Sequence, residues 1–277
     1  MGEKEKEMSF WEHLDEFRTV LFRSAVAVVV MMVTIFFFKS FVFDTIIFSP
    51  RSSDFVIYRW LNQLAAYKPW LSALSVDSFK IELINIEMSA QFFTHISVSF
   101  WLGFVVSVPF ILYQVWTFVR PALYPNEKKS ITLSFAFCSL LFLIGIFVGY
   151  FLVFPLTIKF LGTYQVSDWV VNQISLQSYI SMFTWLILVM GLVFEMPVLV
   201  HLLSRFGIVT KKFLRKYRKH AFVALLFLAA VITPSGDAFT MTVVATPLYL
   251  LYEFSIFVCL NKKPQEVTQE EEGEKQG

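Results

Sequence analysis

Charge is scarce in this 277-residue chain: Asp, Glu, Lys and Arg make up 16% of it, against about 25% in ordinary globular proteins. The apolar residues AVILMFWYC reach 57%, with 33 phenylalanines and 7 tryptophans. So little charge cannot cover so much apolar area in water, which excludes a large soluble domain and leaves lipid as the second solvent. Cysteine is nearly absent too. Cys138 and Cys259 lie in apolar runs with no short spacing between them, so neither a disulfide framework nor a metal site is indicated, and both read as inert packing residues. There is no HExxH, no GxSxG and no glycine-rich loop ending in Lys-Ser or Lys-Thr, and the histidines are scattered. An enzyme is therefore not expected, and no cofactor is implied. The net charge of +2, segregated by region, gives nucleic-acid binding no support. No repeat at a fixed period stands out. The start of the chain is charged and its first apolar run is long, without a small-residue cleavage site, so the first span is expected to stay in the mature protein.

What is present is a series of apolar runs near the length that crosses a bilayer: Val20–Val42, Phe92–Val119, Ile131–Phe154, Tyr179–Leu203, Ala221–Ile232 and Ala238–Leu260. These predict an all-α membrane protein with six transmembrane helices, because lipid cannot satisfy free backbone groups and no barrel-like alternation occurs. The expected organisation is a segment 1–19, a membrane domain 20–260 and a solvated acidic tail 261–277. Within the domain fall loops 44–91, 120–130 and 204–220 and a loop Pro155–Ser178. The polar stretch Asp44–Glu87 is expected to form short interfacial helices. The last two spans are expected to be short: about 12 residues, roughly 18 Å, and about 15 residues before Glu253, roughly 22 Å. Lys4, Lys6, Arg18, Arg23, Arg120, Lys128, Lys129, the basic stretch 205–219, Lys262, Lys263 and Lys275 fall on one side. Arg51, Arg59, Lys68, Lys80 and Lys159 fall on the other, with Lys39 at a span edge. Positive charge is retained in the cytoplasm, so both termini are expected there.

A few acids stand in unusual places. Glu195 interrupts the fourth apolar run within Leu192-Val-Phe-Glu-Met-Pro197. An ionisable group at that depth costs a few kcal/mol, so it should face the bundle interior or a wet hollow, or lock two helices by a hydrogen bond. Pro197 removes a backbone donor and can kink the helix beside it. Glu12, Asp15 and Glu16 precede the first span, and Glu127 sits in the turn between the second and third. Carboxylates on short, rigid elements suit recognition of guanidinium groups, whose planar fork pairs bidentately with them.

Five segments taken in order resemble the TatC family, the six-span core subunit of the twin-arginine protein translocase. They are His13-Leu-Asp-Glu-Phe-Arg18, Tyr113 to Lys129, Phe194-Glu-Met-Pro197, Thr233-Pro-Ser-Gly-Asp237 and Pro247 to Glu253. The resemblance implies a concave bundle in the bacterial inner membrane that receives signal peptides bearing paired arginines. It also implies export of folded proteins driven by the proton-motive force, without nucleotide hydrolysis. On the motif, Glu16 and Glu127 would take the arginines, with Arg18, Phe118, Pro121, Leu123 and Tyr124 around them. Glu195 would be the intramembrane glutamate, and Thr233, Asp237 and Met241 would lie where single-span partners of the TatA and TatB type dock. A multimeric receptor complex is implied as well. The chain departs from the common pattern at Val20, where a basic residue is usual, at Met241, where a polar one is, and in the longer turn before Asp237. A second reading, from the residues alone, is a proton-coupled transporter of a small solute with Glu195 as relay; an intramembrane enzyme lacks a paired nucleophile and base.

Overall fold

The computed structural model describes residues 10–67, 77–119, 125–167, 169–170, 172–205, 207–233 and 236–259, with residues 10 and 125–134 described as backbone. Helix α1 runs from Phe10 to Phe37 and takes in the acidic segment ahead of the first apolar run. A π-helical turn (Phe41–Ile47) and a 3-10 turn (Ser49–Arg51) lead into α2 (Val56–Tyr67), so the polar stretch after span one does contain a short helix. Strand β1 (Leu83–Ile84), α3 (Ala90–Val119) and α4 (Pro125–Val148) follow, the last starting on a proline whose missing N–H is no loss at a helix N-terminus. After a second π turn (Gly149–Val153) come α5 (Phe154–Thr163), β2 (Ile174–Ser175), α6 (Leu176–Val193) and α7 (Met196–Arg205). The chain closes with α8 (Lys211–Lys216), α9 (Arg218–Ile232) and α10 (Ala238–Val258). β1 and β2 pair in parallel, Leu83 opposite Ile174, and tie the segment before α3 to the one before α6.

Among the described residues, five stretches are long and apolar enough to cross a membrane: Trp11–Phe37, Ala90–Val119, Phe135–Thr163, Leu176–Arg205 and Ala238–Val258. Helix α9, with 15 residues, reaches only about 22 Å at the helical rise. Three boundary expectations change. The last helix is not short: its 21 residues run past Glu253, whose carboxylate meets Arg218 of α9 at 2.6 Å and accepts from Tyr249, so the acid does not end the span. The expected loop Pro155–Ser178 begins as helix α5, because a proline in the first turn needs no backbone donor and the π turn before it leaves room for the ring. Residues 125–129, expected in a turn, already belong to α4.

Helices surrounded by lipid gain nothing by hiding apolar surface from one another, so they associate where small residues let backbones approach. A Cβ on Gly103 of α3 would stand 2.7 Å from the Met32 nitrogen of α1, and one on Gly145 of α4 would stand 2.7 Å from the Met190 carbonyl of α6. Around the second crossing α5, α6, α9 and α10 form the main core, in which Phe154, Ile158, Leu186, Met190, Ala229, Val244 and Leu248 are buried. Helix α1 differs, with only 6% of its spanning window buried.

The first π turn leaves backbone carbonyls at its end without helical partners. Tyrosines from other elements close them. Tyr179 of α6 donates to the Ile47 carbonyl at 2.7 Å and Tyr150 to Ile46 at 2.8 Å, while Tyr58 of α2 ties that helix to α5 by donating to the Pro155 carbonyl at 2.6 Å. Burial pushes the Tyr58 phenol up, so it stays a donor throughout the range in which proteins are handled. Tyr179→Phe keeps the ring and leaves a buried carbonyl unpaired. The expected loss is about 1–3 kcal/mol, read as a lowered thermal unfolding midpoint in detergent; an unchanged midpoint would show that the carbonyl finds another donor.

Candidate functional site

On the N-terminal half of α1, His13, Glu16 and Phe17 share one face through i, i+3 and i+4 spacing. That face meets the C-terminal end of α3. The His13 ring stacks on Phe118 with centroids 4.2 Å apart, and Phe17 lies 5.5 Å from the same ring. Glu16 stands half-buried between them in sequence, with Oε2 shielded from solvent and without a hydrogen-bond partner among the described residues. An acceptor desolvated in this way gains from any incoming donor, and most from a cationic one. Arg18 is exposed. Pro121, Leu123 and Tyr124 lie outside the described residues. Glu127 falls in the first turn of α4, nine residues along the chain from Phe118, and its side chain also lies outside them.

The second polar position is the break between α6 and α7. Pro197 has no N–H for the Val193 carbonyl, and its ring crowds that turn. The backbone answers by tightening: Glu195 N–H donates to Leu192 at 3.1 Å, and the Glu195 carbonyl accepts from both Val198 and Leu199 at 3.0 Å. The helix restarts at Met196, and the Glu195 side chain turns toward α4. There the Cys138 thiol donates to Glu195 Oε2 at 2.6 Å, while Oε1 is shielded and has no partner among the described residues. Cys138 is therefore not the inert packing residue expected from its apolar surroundings. It ties two spans through the carboxylate. The signal for it was weak, a small polarizable donor at mid-depth in the neighbouring apolar run.

The third position is the turn between α9 and α10. Thr233 is buried, and its hydroxyl donates to the Ala229 carbonyl at 3.0 Å. Asp237 caps α10, accepting from the Thr240 backbone at 2.8 Å and also from the Thr240 hydroxyl. Gly236 takes φ +59°, where a Cβ would be strained. Met241 is half-buried against the main core. Sequence reasoning grouped Thr233, Asp237 and Met241 as a contact surface; Thr233 and Asp237 are also the pieces that build the turn.

The five long apolar helices define a polytopic membrane protein, and its carboxylates at the α1–α3 junction and at mid-span are set apart from water. The family model for the Sec-independent protein translocase protein (TatC) matches residues 12–247. A Sec-independent protein translocase protein TatC from Blattabacterium sp. subsp. Periplaneta americana is 36% identical over 259 residues, covering 93% of this chain and 97% of its own. The TatC of Carboxydothermus hydrogenoformans is 31% identical, covering 96% and 99%. A crystal structure described as the twin arginine translocase receptor TatC in DDM superposes with a TM-score of 0.68 at 32% identity, over 90% of this chain and all of that one. The chain belongs to the TatC family.

The Cys138–Glu195 contact yields a stability prediction. Cys138→Ala removes the donor and leaves a shielded carboxylate, which is expected to cost about 1–3 kcal/mol, whereas Cys138→Ser keeps an O–H donor and should recover most of it. Thermal unfolding of the three proteins in one detergent checks this; identical midpoints would show that the pair contributes nothing.

Proposed function

We propose that the chain is a twin-arginine signal-peptide receptor and the core of a proton-motive-force-driven translocase that exports folded proteins. On this reading it sits in the bacterial inner membrane with six crossings, α9 being the fifth, and with both termini in the cytoplasm. It works in a multimer with single-span subunits of the TatA and TatB type. The observation that carries the reading is the Glu16 carboxylate, shielded and lacking a described partner beside the His13–Phe118 stack. An arginine is the donor such a group suits best, because its charge and its fork match both the desolvation and the geometry of a carboxylate. Glu127 is the second receiving carboxylate on the family pattern. The solved structure of similar sequence is itself described as the twin arginine translocase receptor. A proton-coupled solute transporter would want several polar groups around Glu195, and among the described residues its side-chain partner is Cys138.

The test is photo-crosslinking of a twin-arginine signal peptide to the full chain in membranes containing its partner subunits. Hydrogen bonds to charged groups are worth about 1.5–3 kcal/mol, so Glu16→Ala and Glu127→Ala should each reduce labelling by about tenfold or more. A peptide with paired lysines should label weakly throughout. Labelling that ignores both substitutions would overturn the receptor assignment.

The short α9 supports a second expectation under the same reading. A helix of about 22 Å in a hydrocarbon layer of about 30 Å thins the bilayer or draws flanking polar groups inward. Adding about four leucines to α9 should impair export of a folded reporter while leaving peptide labelling intact. Unimpaired export would remove any role for the mismatch.

A further inference from the structure

On the side that carries α2, two adjoining hollows of about 530 Å³ and 390 Å³ share Asp44, Phe48 and Arg51. Each falls in the roughly 300–1,000 Å³ range of small-ligand sites. The receptor reading uses neither. The larger is bounded by Lys39, just past the end of α1, by His95 near the start of α3, and by Leu176, the first residue of α6. It therefore lies at the level where the spanning helices end. Phe92 lines it and is 60% exposed, and the neighbouring Phe38 and Phe41 are 61% and 59% exposed. Rings standing out at the ends of spanning helices offer an apolar surface to lipid. The smaller hollow adjoins the larger and is also lined by Ser49, Ser52, Asp54 and Lys80.

The charges in this cleft are of both signs. Lys39, Arg51 and Lys80 line it together with Asp44 and Asp54, yet among the described residues the ion pair that forms is Arg218–Glu253, elsewhere in the molecule. Arg51 leans over the Phe48 ring at 5.5 Å, which holds the guanidinium in the cleft without neutralising it. His95 is engaged otherwise, stacked on Phe36 and with Nε2 3.1 Å from the Phe36 carbonyl. A purely anionic guest would have to sit beside two carboxylates. A guest with a phosphate at one end and an ammonium at the other meets both sets of charge.

We propose that this cleft is a binding site for the headgroup of a phosphoethanolamine lipid. The phosphate lies in the larger hollow toward Lys39 and Arg51, and the ammonium reaches the smaller one toward Asp44 and Asp54, within range of the two serine hydroxyls. The acyl chains then leave past Phe92, Phe38 and Phe41. A site at the edge of the bilayer works from either leaflet, so this inference stands apart from the orientation and receptor role proposed above.

The experiment uses the full chain, purified and stripped of lipid in detergent. Native mass spectrometry counts retained lipid after adding phosphatidylethanolamine, phosphatidylglycerol or phosphatidylcholine of identical acyl chains, and, separately, soluble glycerophosphoethanolamine. Phosphatidylethanolamine should be retained over the other two lipids, and over the soluble headgroup, which lacks the chains. Arg51→Ala and Asp44→Asn should each reduce its retention by about fivefold, the equivalent of one exposed charge contact, while leaving the circular dichroism spectrum and elution volume unchanged. Signal-peptide labelling should be unaffected by either. Equal or stronger retention of phosphatidylglycerol would reduce the site to a phosphate reader and overturn the zwitterionic assignment. Equal retention of phosphatidylcholine would remove the role given to the ammonium donors. Binding of the soluble headgroup as tight as the lipid's would remove the role given to the bilayer edge. Retention indifferent to both substitutions would place the lipid elsewhere.

Discussion

A backbone group that leaves its helix inside lipid finds no water to bond to, so each interruption has to be closed by another part of the protein. This chain interrupts its helices repeatedly: after Phe37, at Gly149–Val153 and at Phe194–Glu195. The first break is closed by the hydroxyls of Tyr150 and Tyr179, which reach carbonyls far away in sequence, and Tyr58 ties α2 to α5 just beyond the second. The third is closed locally by a tightened turn, and what it frees is the Glu195 side chain rather than a backbone group. The tertiary structure on the α2 side is largely the set of contacts needed to make those breaks tolerable.

The places where the chain stays regular are held by a different device. Gly103 against Met32 and Gly145 against Met190 bring backbones to distances no other residue would permit. A shape set by such contacts is rigid along those two seams, and the polar groups are arranged around it. His13 and Phe17, which share a helix face with Glu16, reach Phe118 because the α1–α3 seam extends beyond the apolar stretch into the charged N-terminal segment. Glu195 meets Cys138 because the α4–α6 seam lies just beside it.

How much of this the sequence carried depended on whether the signal was local. Apolar runs of bilayer length, the proline after Glu195 and the acids ahead of span one are local, and they led to the helices, the break and the N-terminal carboxylate. Pairings between helices are not. Cys138 gives no hint in its own run that it will lie opposite Glu195, and Tyr179 gives none that it will close a carbonyl at Ile47, because one sequence does not say which helices touch. The length of α10 was misjudged for a related reason. Glu253 reads as the end of a span until Arg218, on another helix, is seen beside it. The family resemblance supplied register where periodicity could not, although Pro121, Leu123 and Tyr124 lie outside the described residues.

Helix α1 packs chiefly along α3, and 6% of its spanning window is buried. Mechanically it is an outrigger. A load applied to the N-terminal segment reaches the rest of the bundle mainly as shear along one seam, with Gly103 near its middle and the His13–Phe118 stack at its free end. An assembly that grips this helix could thus tilt it while α4, α6 and α10 keep their places, much as an oar moves in a fixed rowlock.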